Sequence, residues 1–446
     1  MSTIVRQLFV NLNLILVLLN YGFIMKYIIS AFILLITHLT YAQQTSSYRL
    51  LPDQVFDGHA VHKDWLVIIE GDRISYAGPE KSAPPPTATS KQLDLPGTTL
   101  LPGMIEGHGH ILLHPYSETS WNDQVLKEPE SYRVARATVH AKKTLEAGFT
   151  TFRDLGTEGA GYADYGIKKA IDEGIIPGPR LIISSKAIVA TGSYGPKGFS
   201  PDFDLPLLGA EPADADNLIT VVRTQIAKGA DFIKVYADYR WGPDGQAMPT
   251  FSEDELRLIV KTARSSGRDV VAHAATAEGM QRAINAGVVM IEHGDGGTDA
   301  TFKLMKDRGV ALCPTLAAGY AITEYGGWNP KTDPEPGRIS SKRESFKRAL
   351  AAGVVISAGG DVGVFTHGNN VVELEMMQRY GMKPLAVLKS VTSVNAGLFH
   401  LEDEIGEIKA GMIADIVVVE GRPDKNISDL WNVVLVMKGG EVVVEK

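Results

Sequence analysis

The sequence predicts an α/β protein: a (β/α)8, TIM-like barrel with a small β-sandwich domain formed by both ends of the mature chain. Three observations carry this expectation. Helical stretches ending in glycine recur down the middle of the chain, each followed by an apolar run. Both ends read as short strands. No phosphate-binding glycine fingerprint follows the first strand of the middle part, which disfavours an open doubly wound sheet.

The glycine junctions fall at Gly148, Gly174, Gly229, Gly267, Gly287, Gly309 and Gly353. A glycine just past a helix takes the left-handed conformation that closes it, so each junction marks a helix-to-strand connection. The runs that follow, such as Gly174-Ile175-Ile176, are continuous rather than alternating, as in parallel strands covered on both faces. With a first strand at Thr98–Ile105, eight strands result, the number that closes a barrel. The ends contribute Tyr48–Leu51, Trp65–Glu70, Arg73–Ala77 and Gln92–Leu95, then Ile413–Glu420, Leu435–Lys438 and Glu441–Glu445. Each end has few strands to bury a core alone, so residues 43–101 and 405–446 are expected to form one domain and residues 102–404 the barrel.

The first residues read as targeting sequence. Met25-Lys26, an apolar stretch from Tyr27 to Leu39 and Thr40-Tyr41-Ala42 have the layout of a secretory signal peptide over residues 25–42, which places the mature chain in a periplasm or outside the cell. Residues 1–24 carry a second apolar run that such a leader does not need, consistent with a true start at Met25. A pair of membrane anchors is the rival reading, but neither run reaches the roughly 20 apolar residues of a spanning helix. A net charge of −8 and the lack of a visible basic patch argue against a nucleic-acid partner. With Cys313 as the single cysteine, there is no intramolecular disulfide and no cysteine-based zinc site.

The polar residues at the strand ends carry the chemistry. His108 and His110 follow the first barrel strand, Lys234 ends the fourth, His273 the fifth and His293 the sixth, and Asp361 follows the eighth. All lie at the C-terminal rim, where barrel active sites assemble from several strands. One histidine there is ordinarily structural, but four with an aspartate and a lysine suit a divalent metal centre such as zinc. The other histidines singled out, His38, His59, His62, His140 and His400, fall on the leader, loops or helix faces and read as non-functional. An ammonium repels a metal, so Lys234 becomes a ligand only as a carbamate, whose two oxygens can serve two ions.

His-x-His after strand one, Lys after four, His after five and six and Asp after eight resembles the amidohydrolase superfamily with a carbamylated lysine. The flanking Leu100-Leu101-Pro102-Gly103-Met104-Ile105 and Gly411-Met412-Ile413-Ala414-Asp415-Ile416 are similar to its sandwich-to-barrel joints. Thr150 to Gly156 and Gly178-Pro179-Arg180 resemble the imidazolonepropionase-like and Xaa-Pro-dipeptidase-like branch. The phrases Glu292 to Gly297 and Gly359 to Val364 look most like its bacterial ochratoxin-hydrolysing amidases. The resemblance implies two divalent ions per subunit, zinc foremost. His108, His110 and Asp361 would hold one ion and His273 and His293 the other, with carbamylated Lys234 bridging and the subunits forming a homo-oligomer. Two metals roughly 3.5–4 Å apart would share a hydroxide whose parent water has its pKa pulled toward about 7. That hydroxide would attack the amide carbonyl of an N-acyl amino acid, an ochratoxin-like amide or a dipeptide, with Asp361 as general base and then general acid.

Departures from the pattern bear on substrate. Where dipeptidase-like members carry Thr-Gly-Gly-His-Gly and His-Ala-Tyr, this chain has Thr191-Gly192-Ser193-Tyr194-Gly195 and His273-Ala274-Ala275-Thr276. Ala275 leaves more room, which suits a bulkier acyl or aromatic amide, with Tyr194, His114 and His367 as candidate substrate contacts. Glu106 stands where the family has Asp, a change that bears on hydrogen bonds behind the ligands. A cyclic amide, imidazolone or lactone hydrolase on the same site remains the alternative. A deaminase would keep one metal and lack the lysine, and a binding module would have lost ligands.

Overall fold

The computed structural model describes residues 47–446 except Thr89, Pro201, Asp204 and residues 206–208. The leader and the extension before it lie outside these residues. Among the described residues no helix is long and apolar enough to cross a membrane.

The barrel strands run in parallel. Met104–Gly109 pairs with Phe149–Asp154, and that strand with Arg180–Ile183. Ile233–Tyr236 pairs with Val270–Ala274, then Met290–His293, then Ala311–Cys313. A hydrogen bond from Asp231 N to Ile183 O links the two groups at 2.7 Å. On the other side residues 356–362 form the eighth stave, through parallel bridges of Ile356 with Leu312 and of Val362 with Gly109. The ring thus closes, and its intervening helices cover the outside. All seven junction glycines take positive φ, from 67° at Gly309 to 105° at Gly229, as helix closure requires.

Both chain ends meet in one sheet of eight strands. Its order runs Glu441–Glu445, Val433–Lys438, Ile416–Glu420, Ser90–Pro102, Ser47–Phe56, Trp65–Glu70, Arg73–Pro79, with Val61–Lys63 beside Ser47–Phe56. Strand alternation divides its side chains between two cores. Leu100, Ile416 and Val418 pack in the sheet's own cluster with Val67, Ile69 and Met437. Leu101, Val417 and Val419 face the barrel cluster.

Two expected strands are placed differently. The run expected as one strand at Thr98–Ile105 is cut at Gly103. Residues Thr98 to Pro102 pair antiparallel with Glu420 to Ile416, and the barrel strand begins only at Met104. Glycine is required at this break, since a Cβ on Gly103 would lie 2.1 Å from Thr150 Oγ1. The third barrel strand is Arg180–Ile183 rather than Ile175-Ile176. Pro177 and Pro179 lack the N–H that a ladder needs, so pairing starts after them.

Leu101 is fully buried where sheet and barrel share a core. Leu101→Ala is expected to cost about 2–5 kcal/mol, seen as a lower urea midpoint with unchanged slope. An unchanged midpoint would contradict the shared core.

Candidate metal centre

The closed ring brings His108, His110, Lys234, His273, His293 and Asp361 to one end of the barrel. Lys234 lies second in its strand, which runs on to Tyr236, rather than at the strand end. Nε2 of His108, Nε2 of His110 and Oδ1 of Asp361 approach closely, the aspartate oxygen being 3.7 and 3.3 Å from the two nitrogens. The rings of His108 and His293 lie 5.1 Å apart and those of His273 and His293 4.4 Å apart. Ligand atoms of His108, His293 and Asp361 all fall within 4.8 Å of one another.

What fixes each imidazole is the group behind it. His108 Nδ1 is bonded to Glu292 Oε2 at 2.8 Å, His110 Nδ1 to Gly156 O at 2.8 Å, and His293 Nδ1 to Thr315 Oγ1 at 2.7 Å. Each bond leaves Nε2 turned inward, the arrangement that orients metal-ligating histidines. The His273 ring is held by stacking on Tyr236, 4.6 Å between centroids. The loop that follows it is pinned by Asp238, which accepts from Ala275 N at 2.9 Å and from Thr276 N and Oγ1 at 2.7 Å. Glu292 is itself held by Arg153, whose guanidinium lies between the Phe232 and Phe399 rings.

Glu106 does the same for the backbone. It accepts from His108 N at 3.1 Å, Gly360 N at 2.9 Å and Asn370 Nδ2 at 2.7 Å. It thereby ties the first strand to the eighth beneath His108 and Asp361. Several non-glycine residues here take left-handed backbone: His293 at φ 77°, Asp361 at 63°, and Thr315 and Glu158 at 48°. Such strain collects at functional sites, where surrounding contacts hold it.

The electrostatics favour metal donors. Burial, reinforced by the Lys234 charge, pushes His108 and His273 well below the usual imidazole value, and burial with the His273 charge does so for His293. They stand neutral, with lone pairs available. Burial works against charge on His110 too, but the contact and charge of Asp361 hold it up at about 9. Asp361 loses solvation, yet the facing His108 and His110 bring its carboxyl below the usual range. Its Oδ1 is buried without a hydrogen-bond partner. Lys234 is 1 % exposed, and among the described residues no hydrogen bond or ion pair satisfies its Nζ. Its Nζ lies over the face of Tyr236, 5.5 Å from the ring centroid, and burial lowers its pKa. Unpartnered donors around an unsatisfied amine are what a carbamylated lysine and bound divalent ions would complete.

A cavity of about 680 Å³ opens onto His108, His110, His273, His293 and Asp361, within the range for small-molecule sites. Tyr194 lines it, as the sequence suggested. His114 and His367 do not line it. His114 is bonded to Glu128 at 2.9 Å, and His367 stacks on His140 at 4.3 Å and is bonded to Leu113 O at 3.0 Å. Both imidazoles serve packing beneath the loops after the first and eighth strands. Residues the sequence reading passed over also line the cavity, including Trp121, Glu158, Tyr236 and Tyr239. Glu158 had a signal, since Gly156-Thr157-Glu158-Gly159 directly follows the second strand at the catalytic rim.

With this geometry in place, similarity to known proteins defines the class. The profile of the Amidohydrolase family matches residues 99–443, and the chain belongs to that family, whose members are generally metal-dependent. The ochratoxinase of Aspergillus niger is 29% identical over 418 residues, covering 86% of this chain and 84% of the relative. An imidazolonepropionase of Streptomyces coelicolor is 24% identical over 376 residues, 80% of this chain and 86% of the relative. Among solved structures, a Xaa-Pro dipeptidase with bound methionine superposes with a TM-score of 0.78 at 30% identity, over 89% of this chain and 99% of that one. The protein is therefore a hydrolase acting on carbon–nitrogen bonds.

Glu292 touches both His108 and Arg153, so Glu292→Ala should loosen the His108 ring. Metal affinity is expected to fall about 10–100-fold, measured as metal retained after dialysis against a graded chelator. Retention equal to wild type would contradict the role given to Glu292.

Proposed function

We propose that the protein is a binuclear metal-dependent amidase that releases an amino acid from an N-acyl amino acid, an ochratoxin-like amide or a dipeptide. The observation that carries this reading is the convergence of three Nδ1-tethered imidazoles and the unbonded Asp361 Oδ1 beside a buried, unpartnered lysine. In this reading His108, His110 and Asp361 would hold one ion and His273 and His293 the other, with carbamylated Lys234 serving both. Zinc fits a set of imidazoles and carboxylate oxygens. A second cluster, His108 with Glu292 and Cys313, is a poorer candidate. Its His108 Nδ1 is already bonded, and burial raises the Cys313 thiol well above its usual pKa.

Bound divalent ions would supply Lewis acidity for the carbonyl and acidify a water molecule. The chain's own residues do the rest. Asp361, ionised by its neighbours, accepts the water's proton and returns it to the leaving amine. Glu106, Glu292 and Thr315 keep the donors aimed. Ala275 with the rings of Trp121, Tyr194, Tyr236 and Tyr239 gives the cavity an apolar wall suited to a bulky substrate.

The same reading treats the sheet from both ends as a β-sandwich over its own cluster, with residues 43–101 and 405–446 as one domain and 102–404 as the other. It also assigns residues 25–42 to a leader for export and the mature chain to a homo-oligomer.

The test is hydrolysis of a panel by the mature chain from Gln43, supplied with zinc and bicarbonate. The panel comprises an N-acyl-phenylalanine amide of the ochratoxin type, Xaa-Pro dipeptides, basic-ended dipeptides and a lactone. Release of the amino acid, abolished in Lys234→Ala, is the expected result. Turnover of the lactone or a ring amide alone would replace this substrate assignment with the cyclic alternative.

A further inference from the structure

Four carboxylates reach the cavity: Glu158, Asp238, Asp295 and Asp361. Asp361 belongs to the proposed metal donors. Asp238 is saturated by Ala275 and Thr276, and Asp295 is paired with Lys342. Glu158 remains. It is 2 % exposed, and among the described residues no lysine, arginine or histidine side chain pairs with its carboxylate. Arg133 runs beneath it but spends its N–H groups on the carbonyls of Leu112, Thr157 and Glu158.

The two oxygens of Glu158 are served unequally. Oε2 accepts from Trp121 Nε1 at 2.8 Å and from the Tyr194 hydroxyl at 2.5 Å. Among the described residues Oε1 has only the Tyr236 hydroxyl, at 3.4 Å. It lies on the metal side of the cavity, since a Cβ on Gly156 would be 3.4 Å from Glu158 Oε1 and 3.7 Å from His110 Cε1. Around it stand the faces and edges of Trp121, Tyr194, Tyr236 and Tyr239, with Tyr194 4.6 Å from Tyr236 and 4.8 Å from Tyr239 between centroids. A buried carboxylate with one weakly served oxygen, walled by aromatic rings, is a receptor for an organic cation.

We propose that Glu158 Oε1 receives a primary ammonium of the substrate, so that the amides this protein prefers carry a free amine on the acyl side. The inference rests on the amidase reading and narrows its substrate class from blocked N-acyl amino acids to aminoacyl amides of dipeptide type. Trp121 and Tyr194 hold the carboxylate in place, and the rings add cation–π attraction to the ammonium.

The experiment uses the zinc- and bicarbonate-loaded mature chain and two ketomethylene isosteres of an aminoacyl-phenylalanine, identical except that one amine is free and the other acetylated. Calorimetry gives both affinities for wild type and Glu158→Gln, an isosteric change that keeps acceptors for Trp121 and Tyr194. The free amine is expected to bind about tenfold tighter or more. In Glu158→Gln that ratio should collapse toward one, with the acetylated compound's affinity unchanged, and Glu158→Asp should recover part of it. Equal binding by wild type, preference for the acetylated compound, or a parallel loss of both affinities in Glu158→Gln would overturn the proposal. Because binding is read without turnover, an ammonium preference with no hydrolysis of the matching amide would sink the amidase reading and leave the subsite standing.

Discussion

Placing a primary amine in the wall of a packed barrel, with no partner for its nitrogen, is the constraint around which the rest of the site is organised. Lys234 sits in the fourth strand between Ile233 and Val235, both fully buried. Desolvating an unpaired ammonium costs several kcal/mol, so the lysine stands to gain by becoming something else. After losing its proton, the amine could add to carbon dioxide and release a second proton, which would give a carbamate anion with two oxygens. Burial and the neighbouring charges keep His108, His273 and His293 neutral, a state suited to binding positive ions, while His110 is held up by Asp361. Lysine, histidines and Asp361 thus account for one another in a way none does alone.

Such a centre tolerates little play, and the fold is built accordingly. Each donor stands on a parallel strand or in the first residues after it, and those strands are locked edge to edge in a closed ring. Behind the donors a further layer repeats the pattern: Glu292 on His108, Arg153 on Glu292, and Phe232 and Phe399 on Arg153. Glu106 stitches the first stave to the eighth through Gly360 and Asn370. Burial raises Glu106 to about 7, so its proton also belongs to the balance of this layer. Left-handed backbone at His293 and Asp361 is a local cost carried by that network.

Much of this was legible in the sequence because strand ends are marked by chemistry that punctuates the chain. The glycine junctions locate the helices' ends, and a histidine, lysine or aspartate directly after an apolar run announces the rim. The joint near Gly103 was legible only through the family resemblance of Leu100 to Ile105, because Leu100-Leu101 and Met104-Ile105 are equally apolar and periodicity alone merges them into one strand. Ile175-Ile176 misled for a related reason, since apolarity alone does not say whether a backbone can pair. His114 and His367 illustrate the opposite limit. Their loops do lie at the rim, but which way an imidazole turns depends on partners far away in sequence, such as Leu113 for His367. Glu158 went unread because its meaning arises only when Trp121, Tyr194 and Tyr236 gather around it.

The claim most exposed to direct test is the chemical state of Lys234. Reconstituting the mature chain with zinc and carbon-13 bicarbonate and recording its carbon NMR spectrum, with metal content measured on the same sample, would decide it. The account predicts a labelled carbamate carbon and two zinc ions per chain, with the label lost and metal content reduced in Lys234→Ala. A full complement of two metals with no carbamate signal, unchanged in Lys234→Ala, would contradict it.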